Sequence, residues 1–149
     1  MTRARVRLFG YPFHPTLVVF PLALWPLALV ADLVAVVTGE PFWWRFAFAC
    51  LGLGFLVALA SAATGMLDYP RVPPGRAKRL ATLHLGLGSS LVATYAAVLA
   101  LHGWDAFAST WPQWTAIGLN ATAMLGLALQ GFTGGRLVFT HHVGIEEEA

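Results

Sequence analysis

Residues 67–88 read LDYPRVPPGRAKRLATLHLGLG, and the reading of this stretch decides the fold. Four cations, Arg71, Arg76, Lys78 and Arg79, stand in a short segment broken by Pro70, Pro73, Pro74 and Gly75. An apolar run of about 46–67 precedes it and one of about 80–101 follows it. Each is long enough to cross lipid as a helix, which takes roughly 20 residues. A charged, proline-rich break between two such runs is a loop at a membrane surface.

Working outward, two further runs appear, at about 16–37 and 115–139. Of the 149 residues, 58% are hydrophobic and only 11% are charged. A soluble domain carries about 25% charged residues, so this chain lacks the charge to be wetted all round. The expected fold is all-α: a single domain over 1–149, an integral-membrane four-helix bundle. The basic start followed by an apolar run resembles a secretory leader. The run at 16–37 exceeds the about 7–15 residues of a leader core and no small-residue cleavage site follows, so an uncleaved first span is expected. Pro21 and Pro26 lie inside that span and predict a bend, since each removes an amide proton from the helix ladder.

Orientation follows from the cations. Arg3, Arg5 and Arg7 precede span one, the four loop cations separate spans two and three, and Arg136 ends span four. Only Arg45 falls on the other side. The positive-inside bias places both termini and the central loop in the cytoplasm, in a bacterial inner membrane. Trp43 and Trp44 after span one, and Trp104, Trp111 and Trp114 before span four, are expected at headgroup boundaries. Small residues recur every four positions at Gly54/Ala58/Ala62, at Thr82/Gly86/Ser90/Thr94 and at Gly118/Thr122/Gly126. They predict close helix packing, with self-association as the alternative.

This topology brings His14, Asp68, His84, His141 and His142 to one membrane face. His102 stands alone at the other end of span three. Inside the spans, Asp32 is the one carboxyl, and Asn120, at a similar depth on span four, is its expected partner in a helix-packing contact. A water-filled path from Asp32 to the histidine face would favour proton transfer instead.

HPTLVVFP at 14–21, TGMLDY at 64–69, His84 early in span three and GGRLVFTHHVGI at 134–145 resemble the family catalogued as domain of unknown function 2231. The resemblance covers almost the whole chain and implies a four-span bacterial membrane protein with no established reaction. Members usually carry a second histidine where this chain has Val19, a tyrosine where it has Phe139 and a glycine where it has His142. Any ligand role of that second histidine is vacant or moved here.

The residues themselves suggest a cofactor site on the cytoplasmic side. Neutral imidazole ligates haem iron, and bundles build such sites from facing helices. His14 and His84 are the expected axial pair for a b-type haem, with His141 as substitute and Asp68 in the cluster. Gly65, Gly86 and Gly88 would give a porphyrin room against backbone, and Arg71, Lys78 and Arg79 would meet its propionates. The function expected on this reading is haem binding and electron transfer, with a membrane redox complex as partner. The alternative is that the polar groups only staple helices together, in a non-catalytic accessory subunit of a larger membrane complex. No independent catalytic machinery is legible: there is no Gly-x-Ser-x-Gly turn, no phosphate-binding glycine loop, and Cys50 stands alone in an apolar run. The basic loop faces anionic lipid, which explains its charge without nucleic acid.

Overall fold

The computed structural model describes residues 7–8, 11–103 and 111–144. Four helices make up nearly all of it: α1 (Phe13–Thr38), α2 (Pro41–Asp68), α3 (Arg76–His102) and α4 (Trp111–Phe139). A two-rung antiparallel ladder, β1 (Arg7–Leu8) with β2 (Tyr11–Pro12), precedes α1. The helices are 26 to 29 residues long, about 40 Å at ~1.5 Å per residue, which exceeds the ~30 Å hydrocarbon core of a bilayer. All four are long and apolar enough to span a membrane. Their outward faces carry Leu, Val and Phe, as at Val37, Leu56, Leu125 and Phe132. A helix that is apolar all round needs lipid or protein on every side.

Local chemistry sets the breaks. α1 ends at Gly39, whose φ of 72° suits a left-handed cap and whose N–H reaches the Ala35 carbonyl at 2.8 Å. Pro41 then starts α2 without losing a helical hydrogen bond. After α2 the chain makes a short 3-10 turn at Tyr69–Arg71 and reaches Gly75, at φ 102°, immediately before α3. Despite Pro21 and Pro26, α1 is one unbroken helical segment.

The tightest packing is within two hairpins, α1 with α2 and α3 with α4. These hairpins repeat one another. On α1 and α3, Pro21, Trp25, Ala28 and Asp32 are buried, and so are Leu91, Tyr95, Val98 and His102, each 70 residues later. On α2 and α4 the offset is one residue shorter, and it relates buried Trp44, Ala47, Leu51, Gly54, Ala58 and Thr64 to buried Gln113, Ala116, Asn120, Ala123, Leu127 and Thr133. Three of the α1/α3 equivalents also touch each other. The His14 and His84 rings meet edge to face with centroids 6.2 Å apart, Trp25 stacks on Tyr95 at 3.5 Å, and His102 Nε2 lies 2.7 Å from Asp32 Oδ1. Equivalent positions that contact one another lie on the axis relating the two halves, as in an isologous dimer. The bundle therefore has a pseudo-two-fold axis along its length, with α1 and α3 running parallel on either side of it.

Of the three small-residue stripes, one packs as expected. Gly54 and Ala58 are buried, and a Cβ on Gly54 would sit 2.6 Å from Trp25 Nε1. The other two face mainly outward: Thr82, Gly86, Ser90, Gly118 and Thr122 are exposed. Ser90, Thr94 and Thr122 turn their hydroxyls back to carbonyls of their own helices. Spacing alone could not say which side of an all-apolar helix faces inward.

Candidate functional site

At the end of the bundle where α1 and α3 begin and α2 and α4 finish, a cavity of about 480 Å³ opens between the hairpins. His14, His84 and Asp68 all line it, so three of the four residues expected to cluster do so. The rest of the wall is mainly apolar and reaches inward as far as Trp25 and Leu91.

Each histidine is held by the partner helix of its own hairpin. His14 Nδ1 lies 2.8 Å from the Ser61 carbonyl and 3.1 Å from Ser61 Oγ. A carbonyl can only accept, so Nδ1 carries the proton and, in the neutral ring, Nε2 is left with a bare lone pair. His84 Nδ1 lies 2.9 Å from Thr133 Oγ1. That hydroxyl gives its own proton to the carbonyl of Leu129 or Gln130, so it accepts from His84, whose Nε2 is again the lone-pair nitrogen. Here the lone pair is occupied: the Gln130 amide donates to it from 3.1 Å. A ring pinned through Nδ1 with Nε2 turned loose is the arrangement seen in histidines that ligate metals.

Glycines make room for this pair, though not in the way the sequence suggested. A Cβ on Gly65 would lie 3.0 Å from the His14 ring, and one on Gly134 would lie 2.9 Å from His84 Cε1. A Cβ on Gly88 would lie 2.9 Å from Gln130 Nε2, and one on Gly86 would meet nothing. The glycines seat the histidines and the glutamine rather than a flat ligand, because each imidazole crosses onto the backbone of its neighbouring helix.

His141 is not part of the cluster. It lines a separate surface cleft with Arg76, Arg79 and Arg136. The cause is the turn after α4: Val143 N–H bonds the Leu137 carbonyl at 2.9 Å, and His142 takes a left-handed φ of 50°. This folds Val143 and Gly144 into the cavity wall and leaves His141 outside. Of the cations expected near the site, Lys78 meets one of its wall residues. Its Nζ lies 3.5 Å over the ring of Tyr69, a wall residue, and 2.6 Å from the Tyr69 carbonyl. Arg79 lies in the outer cleft with His141.

The opposite end corrects the Asp32–Asn120 pairing. Asp32 pairs with His102, both fully buried, while Asn120 Oδ1 accepts from the Tyr95 hydroxyl at 2.9 Å. No histidine is needed opposite His102: the group that faces it is the carboxylate its symmetry position supplies. Its other nitrogen, Nδ1, lies 3.1 Å from the Gly103 carbonyl, which also receives the Trp44 indole at 3.2 Å. Trp44 stacks on His102 at 3.6 Å and is buried rather than set at a headgroup boundary. Trp111 and Trp114 are exposed as that expectation requires; Trp104 lies outside the described residues.

Among the described residues there is no group of three or more His, Cys, Asp or Glu side chains placed to hold a metal ion. Ser61, Thr133 and Gln130, which fix the two rings, were not singled out from the sequence. The only available signal was their place beside or four residues before Gly65 and Gly134.

The model of the family described as "Predicted membrane protein (DUF2231)" matches residues 10–147. No curated protein and no solved structure matches the chain.

Proposed function

The chain therefore belongs to the domain of unknown function 2231 family of membrane proteins, and from that premise we propose that it is a small b-type haem protein that binds the cofactor between the His14 and His84 side of the bundle and carries electrons. The observation that carries this reading is the convergence of two Nδ1-anchored imidazoles, one from each hairpin, in one largely apolar cavity. The ring centroids stand 6.2 Å apart, edge to face, so one centre between them is within reach of both imidazoles once each turns its Nε2 towards it. The donor set favours haem over a bare ion. A zinc-type site asks the protein for three or four ligands, whereas a porphyrin supplies four nitrogens and asks for one or two.

When bound, haem would supply one-electron redox chemistry. The chain's own contribution is to hold both rings in one tautomer, to exclude water with the apolar wall, and to place Lys78 near the rim as a counter-charge for carboxylates. The loop cations Arg71, Arg76, Lys78 and Arg79 share this end with Arg136, while Arg45 lies at the other. The positive-inside bias supports a cytoplasmic placement of the site, in a bacterial inner membrane. A redox complex of that membrane is the partner this reading implies.

Full-length protein purified after expression with ample haem is expected to show a Soret band that the His14→Ala/His84→Ala double variant loses. A band of equal strength in the double variant, or none in the wild type, overturns the reading. With no band and a protein that is monodisperse only alongside a larger complex, the accessory-subunit reading takes its place.

A further inference from the structure

The two halves of the cavity differ at one pair of equivalent positions, and that difference bears on how the site works. Ser61 and Gln130 occupy the same place in the repeat, each four residues before the glycine that seats its histidine. In the first hairpin Ser61 meets the His14 ring at Nδ1, and Nε2 has no partner among the described residues. In the second, Thr133 has taken over the Nδ1 contact and Gln130 reaches to the far nitrogen of His84. Its amide rests where Gly88 leaves out a side chain, and its Oε1 is buried with no hydrogen-bond partner among the described residues. A buried acceptor left empty is costly, so the contact to His84 Nε2 is made at the expense of the amide's own oxygen.

We infer that Gln130 is a latch on His84: it withholds the second imidazole, so that a metal-centred cofactor is taken first by His14 and gains His84 only when the amide swings away. This rests on the haem reading above and adds an order and an asymmetry to it. Gln130 is a positioning residue in this scheme. It competes for the ligand nitrogen by hydrogen bonding and does not itself bind the metal. No proton leaves the site when the latch opens, because both rings already carry theirs on Nδ1.

The test is titration of the full-length apoprotein in detergent with haemin, in the wild type, Gln130→Ser (the residue of the other half) and Gln130→Leu (similar bulk, no donor). Losing one competing hydrogen bond of ordinary strength is expected to tighten binding about tenfold. It should also shift the spectrum from a high-spin, singly ligated component to a low-spin, doubly ligated one. In the wild-type background His14→Ala is expected to weaken binding at least tenfold more than His84→Ala, and Gln130→Ser to narrow that gap. A readout free of haem accompanies it: the imidazole nitrogen NMR signal of His84 Nε2 in apoprotein should move on Gln130→Leu while that of His14 does not. If wild type, Gln130→Ser and Gln130→Leu bind haemin with equal affinity and spin state while the histidine variants bind it more weakly, the latch is wrong and the haem site stands. If the His84 nitrogen signal does not move, the latch is wrong whatever haemin does. If no form binds haemin, the haem reading falls and takes the latch with it.

Discussion

Replacing His102 by alanine should be among the most damaging single changes in the bundle. Both imidazole nitrogens face oxygen atoms, the Gly103 carbonyl at 3.1 Å and Asp32 Oδ1 at 2.7 Å. A carbonyl needs a donor, so the short contact to Asp32 must hold a second proton, shared between imidazolium–carboxylate and imidazole–acid forms. Removing the ring strands a fully buried carboxyl whose Oδ2 already has no partner. Breaking a buried pair from one side costs about 3–5 kcal/mol, and losing the Trp44 stack adds about 1 kcal/mol. An ordinary interhelical hydrogen bond in a membrane protein averages only about 0.6 kcal/mol, so the two accounts differ several-fold. For a chain of this size 1 kcal/mol shifts Tm by about 2–4 °C. His102→Ala is expected to melt about 10 °C or more below wild type in detergent, followed by helical circular dichroism. Asp32→Asn should cost about 1 kcal/mol, because the amide N–H can donate to a neutral Nε2. The Asp32→Leu/His102→Leu double variant should recover most of the loss, since apolar replacement of a whole buried pair is often neutral. If His102→Ala melts within 2–3 °C of wild type, the pair is a minor contact and the argument from its two acceptors is refuted.

Further outcomes follow from the same geometry. Gly54→Ala would drive a methyl to 2.6 Å from Trp25 Nε1 and disturb the Trp25–Tyr95 stack; overpacking of this kind costs about 1–3 kcal/mol, read as a lower Tm, and an unchanged Tm would show the stack to be loosely held. Because Trp25 and Tyr95 are equivalent across the axis, the exchange Trp25→Tyr/Tyr95→Trp should destabilise by less than the sum of its single variants in the same melt. Gly65→Ala and Gly134→Ala should each displace one histidine ring, weakening haemin binding about tenfold or more while helical content holds, the lost affinity tracking the misplacement of a positioned ligand. For orientation, Pro74→Cys and Glu40→Cys in a Cys50→Ser background place thiols at exposed positions on opposite ends; a membrane-impermeant maleimide on intact cells should label the second and spare the first, and the reverse pattern would invert the topology.

The sequence was legible where lipid does the deciding. Apolar run length gave four helices, and the described helices extend the expected spans by only a few residues at most ends. The alternation of the spans also carried depth information, since His14, Asp68 and His84 line one cavity. What failed was azimuth, the side each residue faces. In a soluble helix the polar face marks the outside, but these helices are apolar all round, so neither the inward stripes nor the burial of Trp44 could be read. His141 failed for a different reason, a left-handed turn at His142 that no glycine announced. Counting from helix ends sets Asp32 level with Asn120, whereas Asn120 lies deeper along α4, bonded to Tyr95. The repeat escaped notice because its paired positions seldom share a residue: Trp25 answers Tyr95, Pro21 answers Leu91, and Asp32 answers His102. The exceptions, His14 with His84 and Thr64-Gly65 with Thr133-Gly134, are too few to mark it without the common burial.

That divergence has a physical logic. On a two-fold axis, equivalent residues face each other, so a duplicated hairpin begins with every axial residue opposite its own copy. Neutral groups tolerate this, and two imidazoles that each carry their proton outward on Nδ1 do so at 6.2 Å. A carboxylate opposite a carboxylate, or an imidazolium opposite an imidazolium, would repel in a medium that screens poorly. An ionisable position on the axis is therefore stable only if the halves differ there, and Asp32 opposite His102 is such a difference. The same constraint explains why asymmetry at the histidine end is displaced outward from the axis. His14 and His84 remain alike, and the halves diverge instead at Ser61 and Gln130, one residue further from the centre. The bundle thus keeps a like pair where a shared ligand would need two similar donors, and an unlike pair where charge must cancel.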